Sequence, residues 1–307
     1  MKKTTQILIV IFVFLSFYII KDDLKIAYNK VIDIIENNKV DVSKNIFKEI
    51  KSSEEVVNLK RVITTPGALR VSNSVLSLDI KSVDLSVSEV IAETNKKRGV
   101  SNLTSLKENS RLNISAEKKL LDMFNRQYFD HISPTGKAVS NLVEEIDYDY
   151  IIVGENLAMG NFKNNKSLLE AWMNSPGHRA NILNSSYQEI GVAVGKGYFE
   201  GEEVWIAVQH FGLNKSACPE IDSFLRGQIN LEQVEIERIK EDLSVKYEQI
   251  KSRAVINGKT ANEQIKEYNL IVSTYNDLVY QLKIKINKYN FRVKEFNSCV
   301  ESYVGQE

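Results

Sequence analysis

Trp172-Met173-Asn174-Ser175-Pro176-Gly177-His178-Arg179-Ala180-Asn181-Ile182-Leu183 is the stretch on which the fold turns. The helical pattern of residues 167–174 ends near Pro176-Gly177, so the spacing places His178 just past a helix. Two upstream segments share this character. One is Tyr128-Phe129-Asp130-His131-Ile132-Ser133-Pro134-Thr135-Gly136, which follows a second helical run. The other is Gly154-Glu155-Asn156-Leu157-Ala158, directly after the apolar triplet Ile151-Ile152-Val153, which reads as a short buried strand. Polar groups at the ends of several elements can converge on one cleft. His131, Glu155 and His178 are therefore the candidate cleft residues, with Ser175 beside them.

The surrounding pattern mixes helices with a few strands. Ser86 and Glu89 predict an N-cap and capping box for a helix through Val90, Ile91 and Thr94 that ends at Gly99. Ser115 is expected to open the next helix, whose apolar face carries Leu120, Leu121, Met123, Phe124 and Tyr128. Residues 191–195 and 204–211 are apolar runs separated by Gly197 and Gly201, an expected antiparallel pair. Such an interspersed order predicts an α+β, layered domain. His210 lies on an apolar strand and reads as a packing histidine; Trp172 and Trp205 read as core.

The three polar segments, with the closing Val208-Gln209-His210-Phe211-Gly212, resemble the bacterial branch of the CAP superfamily. That superfamily includes the cysteine-rich secretory proteins, insect antigen 5 and plant pathogenesis-related proteins. The resemblance covers about residues 86–213 and implies an α-β-α sandwich with a surface cleft lined, in many members, by two His and two Glu. His131 and His178 match the family's histidines and Glu155 its first glutamate. The second glutamate should follow the tryptophan by three residues, where this chain has Ser175. A paired carboxylate acid and base is thus not available in the family's form. The three remaining residues imply zinc or another divalent cation as a group that His131, Glu155 and His178 could hold. No H-E-x-x-H helix and no nucleophile elbow supports a hydrolase independently, although Ser133 and Ser175 lie near the histidines.

The ends of the chain have other characters. Residues 4–20 carry no charge and follow Lys2-Lys3. A spanning helix needs about 20 apolar residues, with about 17 as a lower limit. No small-residue cleavage site follows, so residues 1–21 are expected to be an uncleaved signal anchor, the N-terminus cytoplasmic and the rest outside the cell membrane. A cleaved signal, giving a secreted protein, is the alternative. Residues 22–85 read as a juxtamembrane helix, through Leu24, Tyr28, Val31 and Ile35, and then a spacer. From Ile265 to Tyr303, twelve apolar positions alternate spacings of 3 and 4. Ile229, Ile236, Leu243 and Ile250 recur every seven residues before a turn at Gly258. Residues 214–307 therefore predict an antiparallel coiled-coil hairpin, about 55 Å long at the helical rise. Cys218 and Cys299 lie 40 and 41 residues either side of Gly258, so equal arms place them together as a disulfide at the base.

Lys plus Arg and Asp plus Glu are 40 each, and no basic cluster marks a nucleic-acid surface. Three functional classes follow. The leading one is a membrane-held, non-enzymatic module binding a lipid, a peptide, a cell-wall component or a partner through the cleft. A metal-dependent hydrolase using His131, Glu155 and His178 is the second. The third is an interaction protein acting, or self-associating, through the hairpin.

Overall fold

The structure is a computed structural model that describes residues 61–71, 84–252 and 259–304. The expected signal anchor, the juxtamembrane helix and the turn at Gly258 lie outside the described residues. Among the described residues, no helix is long and apolar enough to cross a membrane. The chain divides into two units: a sheet unit of Val57–Ile221 with Arg292–Glu307, and a second unit containing Asp222–Phe291.

In chain order the sheet unit comprises β1 (Val62–Thr64), β2 (Leu69–Arg70), α1 (Val87–Val100), β3 (Lys107–Glu108), α2 (Ser110–Arg126), α3 (Val139–Glu144), β4 (Tyr150–Gly160), α4 (Asn165–Asn174), α5 (Pro176–Ile182), β5 (Glu189–Phe199) and β6 (Glu202–Asn214). The long helices α6 (Ser223–Lys251) and α7 (Ala261–Val304) follow. The sheet runs β1-β4-β6-β5-β3, with β2 also on β4; its central three strands are antiparallel and its edge strands pair in parallel.

Alternation along the strands divides the core into two. Val153, Leu157 and Met159 of β4 face α2 and α3, where they meet Leu112, Ala116, Leu120 and Met123. Ile152 and Ala158 face the other way, toward Val90, Leu168, Leu169, Trp172 and Ile182 of α1, α4 and α5. The result is the expected α-β-α sandwich in mixed-sheet form.

Several boundaries differ from the sequence reading. β4 continues through Gly154, Glu155 and Asn156 instead of stopping at Val153, because both polar side chains find buried partners. The residues read as spacer contribute β1 and β2. α2 begins at Ser110, capped by Asn109 Oδ1, five residues before Ser115. Ser86 does cap α1, but Glu89 bonds Asn165 of α4 rather than closing a capping box.

At Gly191 of β5 the backbone of α2 lies against the strand: a Cβ there would overlap the backbone of Leu112 and Asn113. That contact sets α2 directly on the strand. In the second unit, Leu243, Tyr247 and Ile250 of α6 pack with Val272, Tyr268 and Ile265 of α7, so the two helices run antiparallel. None of the twelve heptad residues of α7 is exposed. In the sheet unit, the Cys218–Cys299 disulfide forms as expected, with Cα atoms 5.7 Å apart. Beside it Phe296 joins the core, and Ser186 Oγ donates to the Tyr303 carbonyl at 2.7 Å.

Gly191→Ala is expected to destabilise the sheet unit by about 1–3 kcal/mol through overpacking. Gly99→Ala, whose added methyl meets nothing within 4 Å, should be neutral or slightly stabilising. Urea unfolding followed by tryptophan fluorescence checks both, since the chain's 2 tryptophans, Trp172 and Trp205, are buried in this unit.

Candidate functional site

The site grows from one buried carboxylate. Strand register sets Glu155 of β4 opposite His210 of β6, and His210 in turn opposite Gly191 of β5. Glu155 has no exposed surface. Its Oε2 accepts from His210 Nε2 at 2.8 Å, and its Oε1 accepts from His131 Nδ1 at 2.7 Å. Because Gly191 admits α2 so closely, Ser115 Oγ reaches within 2.6 Å of His210 Nδ1. Burial pushes the Glu155 carboxyl up, but the two imidazole hydrogen bonds and the Lys119 charge outweigh it and hold the group at about 2. Glu155 is thus an anion at neutral pH, and it fixes both rings.

His131 sits in a loop between α2 and α3 that is held by its own short contacts. Gln127 ends α2 in the left-handed region, and Asp130 Oδ1 accepts from the Ile132 N–H at 3.1 Å. Ser133 and Lys137 close the loop with a backbone bond of 2.9 Å. From α2, the ammonium of Lys119 donates to the His131 carbonyl at 2.8 Å and to Tyr128 Oη at 3.3 Å, while Tyr128 donates to Asp122 at 2.7 Å. Lys119 is only 1% exposed. Desolvation pulls its ammonium below the usual lysine range, and the Glu155 charge opposes that shift.

His178 lies in the first turn of α5, not beyond a helix C-terminus, because Pro176 starts a new helix at that point. Its Nδ1 is 2.8 Å from Ser175 Oγ. Burial first, and then the His131 charge, lowers its pKa to about 4, while the nearby Leu157 carbonyl works the other way. The backbone behind the ring is tied down. Asn156 Nδ2 donates to the His178 carbonyl and to Gln209 Oε1, each at 3.2 Å, and Asn181 Nδ2 donates to Asn156 Oδ1 at 3.0 Å. Gln209 donates onward to Thr94 of α1 at 2.8 Å. The structure thus bonds His131 to Glu155 and Ser175 to His178, and Asn156, next to Glu155 on β4, holds the His178 carbonyl.

Three buried ring nitrogens here make no hydrogen bond of normal geometry, His131 Nε2, His178 Nε2 and Trp172 Nε1, although the Leu157 carbonyl also acts on the His178 ring. Glu155, by contrast, has committed both oxygens to imidazole N–H groups, so it orients ligands better than it serves as one. A divalent cation would find two imidazole nitrogens and not the carboxylate. Among the described residues, no group of three or more His, Cys, Asp and Glu could hold a metal ion.

Sequence reasoning missed the supporting cast. His210 is satisfied, but as a partner of Glu155 rather than as a packing ring. Two consecutive polar residues, Gln209 and His210, inside an apolar strand were the available signal. Lys119 announced itself by falling on the apolar face of α2 between Ala116 and Met123.

Residues 91–211 match the model of the Cysteine-rich secretory protein family, CAP. The Bacillus subtilis protein YkwD is 38% identical over 124 residues, 40% of this chain and 46% of that one. The membrane protein YlbC of the same organism is 37% identical over 78 residues, 25% of this chain and 22% of that one. This chain therefore spans less than half the length of either relative. An extracellular protein from Bacillus anthracis containing an SCP domain superposes with a TM-score of 0.36 at 27% identity, over 41% of this chain and 39% of that one.

Acid should destabilise the sheet unit in two steps. A histidine held below its ordinary value costs stability as pH falls from about 6.5 toward 4, and a carboxyl held near 2 loses its contribution from about 4.5 downward. Glu155→Gln should flatten the lower step, worth about 3 kcal/mol, while His178→Gln should flatten the upper one. Urea midpoints read against pH by tryptophan fluorescence check both.

Proposed function

With residues 91–211 a CAP domain of the bacterial kind, we propose that the chain is a membrane-tethered, extracytoplasmic binding module that holds its ligand reversibly in the His131–His178 cleft. The observation that carries this is the pair of buried imidazole Nε2 atoms without protein partners, beside a carboxylate already satisfied. Buried polar atoms are rarely left unpaired, and a ligand that supplies their partners recovers that cost.

Proton-transfer chemistry is less well supported. An efficient acid or base works near the ambient pH, whereas Glu155 is held at about 2 and His178 at about 4. Ser175 Oγ bonds His178 Nδ1 at the start of α5, a geometry that fixes the ring. The extracytoplasmic placement draws on the uncharged segment at residues 4–20. Similarity to a Bacillus subtilis membrane protein supports it. The ligand class is a lipid, a peptide or a cell-wall fragment, each of which offers hydroxyl or amide groups to two imidazoles.

The test is titration of the detergent-solubilised full chain with muropeptides, short peptides and phospholipid micelles, monitored by the histidine Cε1–H resonances. One ligand class should shift His131 and His178 together without being consumed, and His131→Ala should weaken binding at least about tenfold, the loss of roughly one charge-free hydrogen bond. Turnover of a ligand that depends on His131 would instead support a hydrolase, and saturable zinc binding that depends on Glu155 would support a metal site.

A further inference from the structure

The helices α6 and α7 bury their heptad faces against each other, yet each carries large apolar residues on its outward face. On α6, Phe224, Leu231 and Val245 are 74%, 75% and 55% exposed. They fall at multiples of seven residues, with Arg238 filling the remaining step. On α7, Leu270, Ile284 and Phe291 are 70%, 46% and 60% exposed, again at multiples of seven, with Asp277 filling the step. At 3.6 residues per turn, each stripe lies opposite the buried face of its own helix. The two stripes therefore point away from each other, and neither can satisfy the other within one chain.

Their levels match. Inside the hairpin, Leu243, Tyr247 and Ile250 share one cluster with Ile265, Tyr268 and Val272 near the turn, and Glu232 meets Lys285 further along, so residues equally far from the turn lie level. The same antiparallel register, extended along the helices, puts Val245 level with Leu270, Arg238 with Asp277, Leu231 with Ile284 and Phe224 with Phe291. Three rungs are apolar against apolar. The fourth sets a cation against an anion. Val234 and Tyr280, 71% and 63% exposed, add a flanking rung one residue off the same level.

Charge follows the same division. The α6 segment around Leu231 and Val234 carries Glu232, Glu235 and Glu237, the last two paired along their own helix with Arg238 and Lys240, whereas α7 has no acidic residue from Leu278 to Phe291 and three lysines, Lys283, Lys285 and Lys288. Lys285 already pairs with Glu232 inside the hairpin. Lys283 and Lys288 have no ion pair among the described residues, and they flank the outward α7 stripe.

We propose that this outward pair of stripes is a self-association surface: the α6 stripe of one chain docks on the α7 stripe of a second copy. A neighbouring hairpin displaced sideways, neither inverted nor shifted along its length, brings all four rungs together. The contact is heterologous, so it either closes into a ring or runs on as an open row. A common orientation is also what a tether at one end of every chain imposes. The inference is independent of the cleft and of its ligand.

The test is cysteine trapping in membranes from cells making two differently tagged full-length chains. With Leu231→Cys in one and Ile284→Cys in the other, oxidation should give a mixed-tag dimer. Chains carrying Leu231→Cys alone, or Ile284→Cys alone, should give none, because those faces do not meet their own copies. Asp277→Arg should cut the mixed product by about tenfold through like-charge repulsion against Arg238, and Arg238→Glu in the partner chain should restore it. Circular dichroism of each variant confirms that the helices persist. A mixed dimer absent with helicity intact overturns the proposal, as do equal yields from the single-cysteine controls or no response to the charge reversal.

Discussion

A single carboxylate buried without any exposed surface is the constraint that the rest of the sheet unit is built around. An isolated ion in such a place would be expelled or neutralised, since burial disfavours the charged form by several kcal/mol. Glu155 stays ionised because the strand register delivers His210 to one oxygen, the loop after α2 delivers His131 to the other, and Lys119 adds a third compensating group nearby. Each of these depends on something earlier in the chain of causes. His210 is oriented by Ser115, which reaches it only because Gly191 lets α2 lie on the strand. His131 is oriented by its loop, whose carbonyl Lys119 holds from below.

The opposite side of the site is organised without net charge. Asn156, Asn181, Gln209 and Thr94 form a buried amide and hydroxyl chain that joins β4, α5, β6 and α1. Thr64 of β1 enters the same chain through Asn181, at 2.8 Å, so the short edge strand helps to hold α5 in place. Networks of this kind specify one arrangement when every member is satisfied. What they specify here is the place of the α5 backbone that carries the His178 ring. Ser175 in place of a second carboxylate fits that account: a hydroxyl can hold His178 Nδ1 without adding another buried anion next to Glu155.

Legibility from sequence followed how local each signal is. The heptad face of α7 was plain because the pattern repeats twelve times and each repetition tests the others. The cysteine pair was legible through the symmetry of the arms. The three candidate residues stood out through their motif contexts, and the structure bonds two of them, His131 and Glu155, to each other. Strand β4 was read too short because Glu155 and Asn156 look like a loop until their partners on β6 and α5 are known. β1 and β2, of 3 and 2 residues, have no pattern of their own and exist only as additions to β4. The start of α2 was hidden because Ile114, 46% exposed, blurs the apolar stripe that Leu112 begins. Pro176 was taken as a stop when it is also a start, and this misplaced His178 by one helix.

The claim at the centre of this account is that Glu155 fixes the ring of His131 through Nδ1 and leaves its Nε2 without a protein partner. Nitrogen-15 correlation spectra of the chain's 3 histidines test it directly, since so few rings can be assigned by substitution. The account predicts that His131 carries its proton on Nδ1, hydrogen-bonded to a carboxylate, and that Glu155→Gln disturbs the His131 and His210 signals together. A His131 ring protonated on Nε2 alone, or one indifferent to Glu155→Gln, would contradict it.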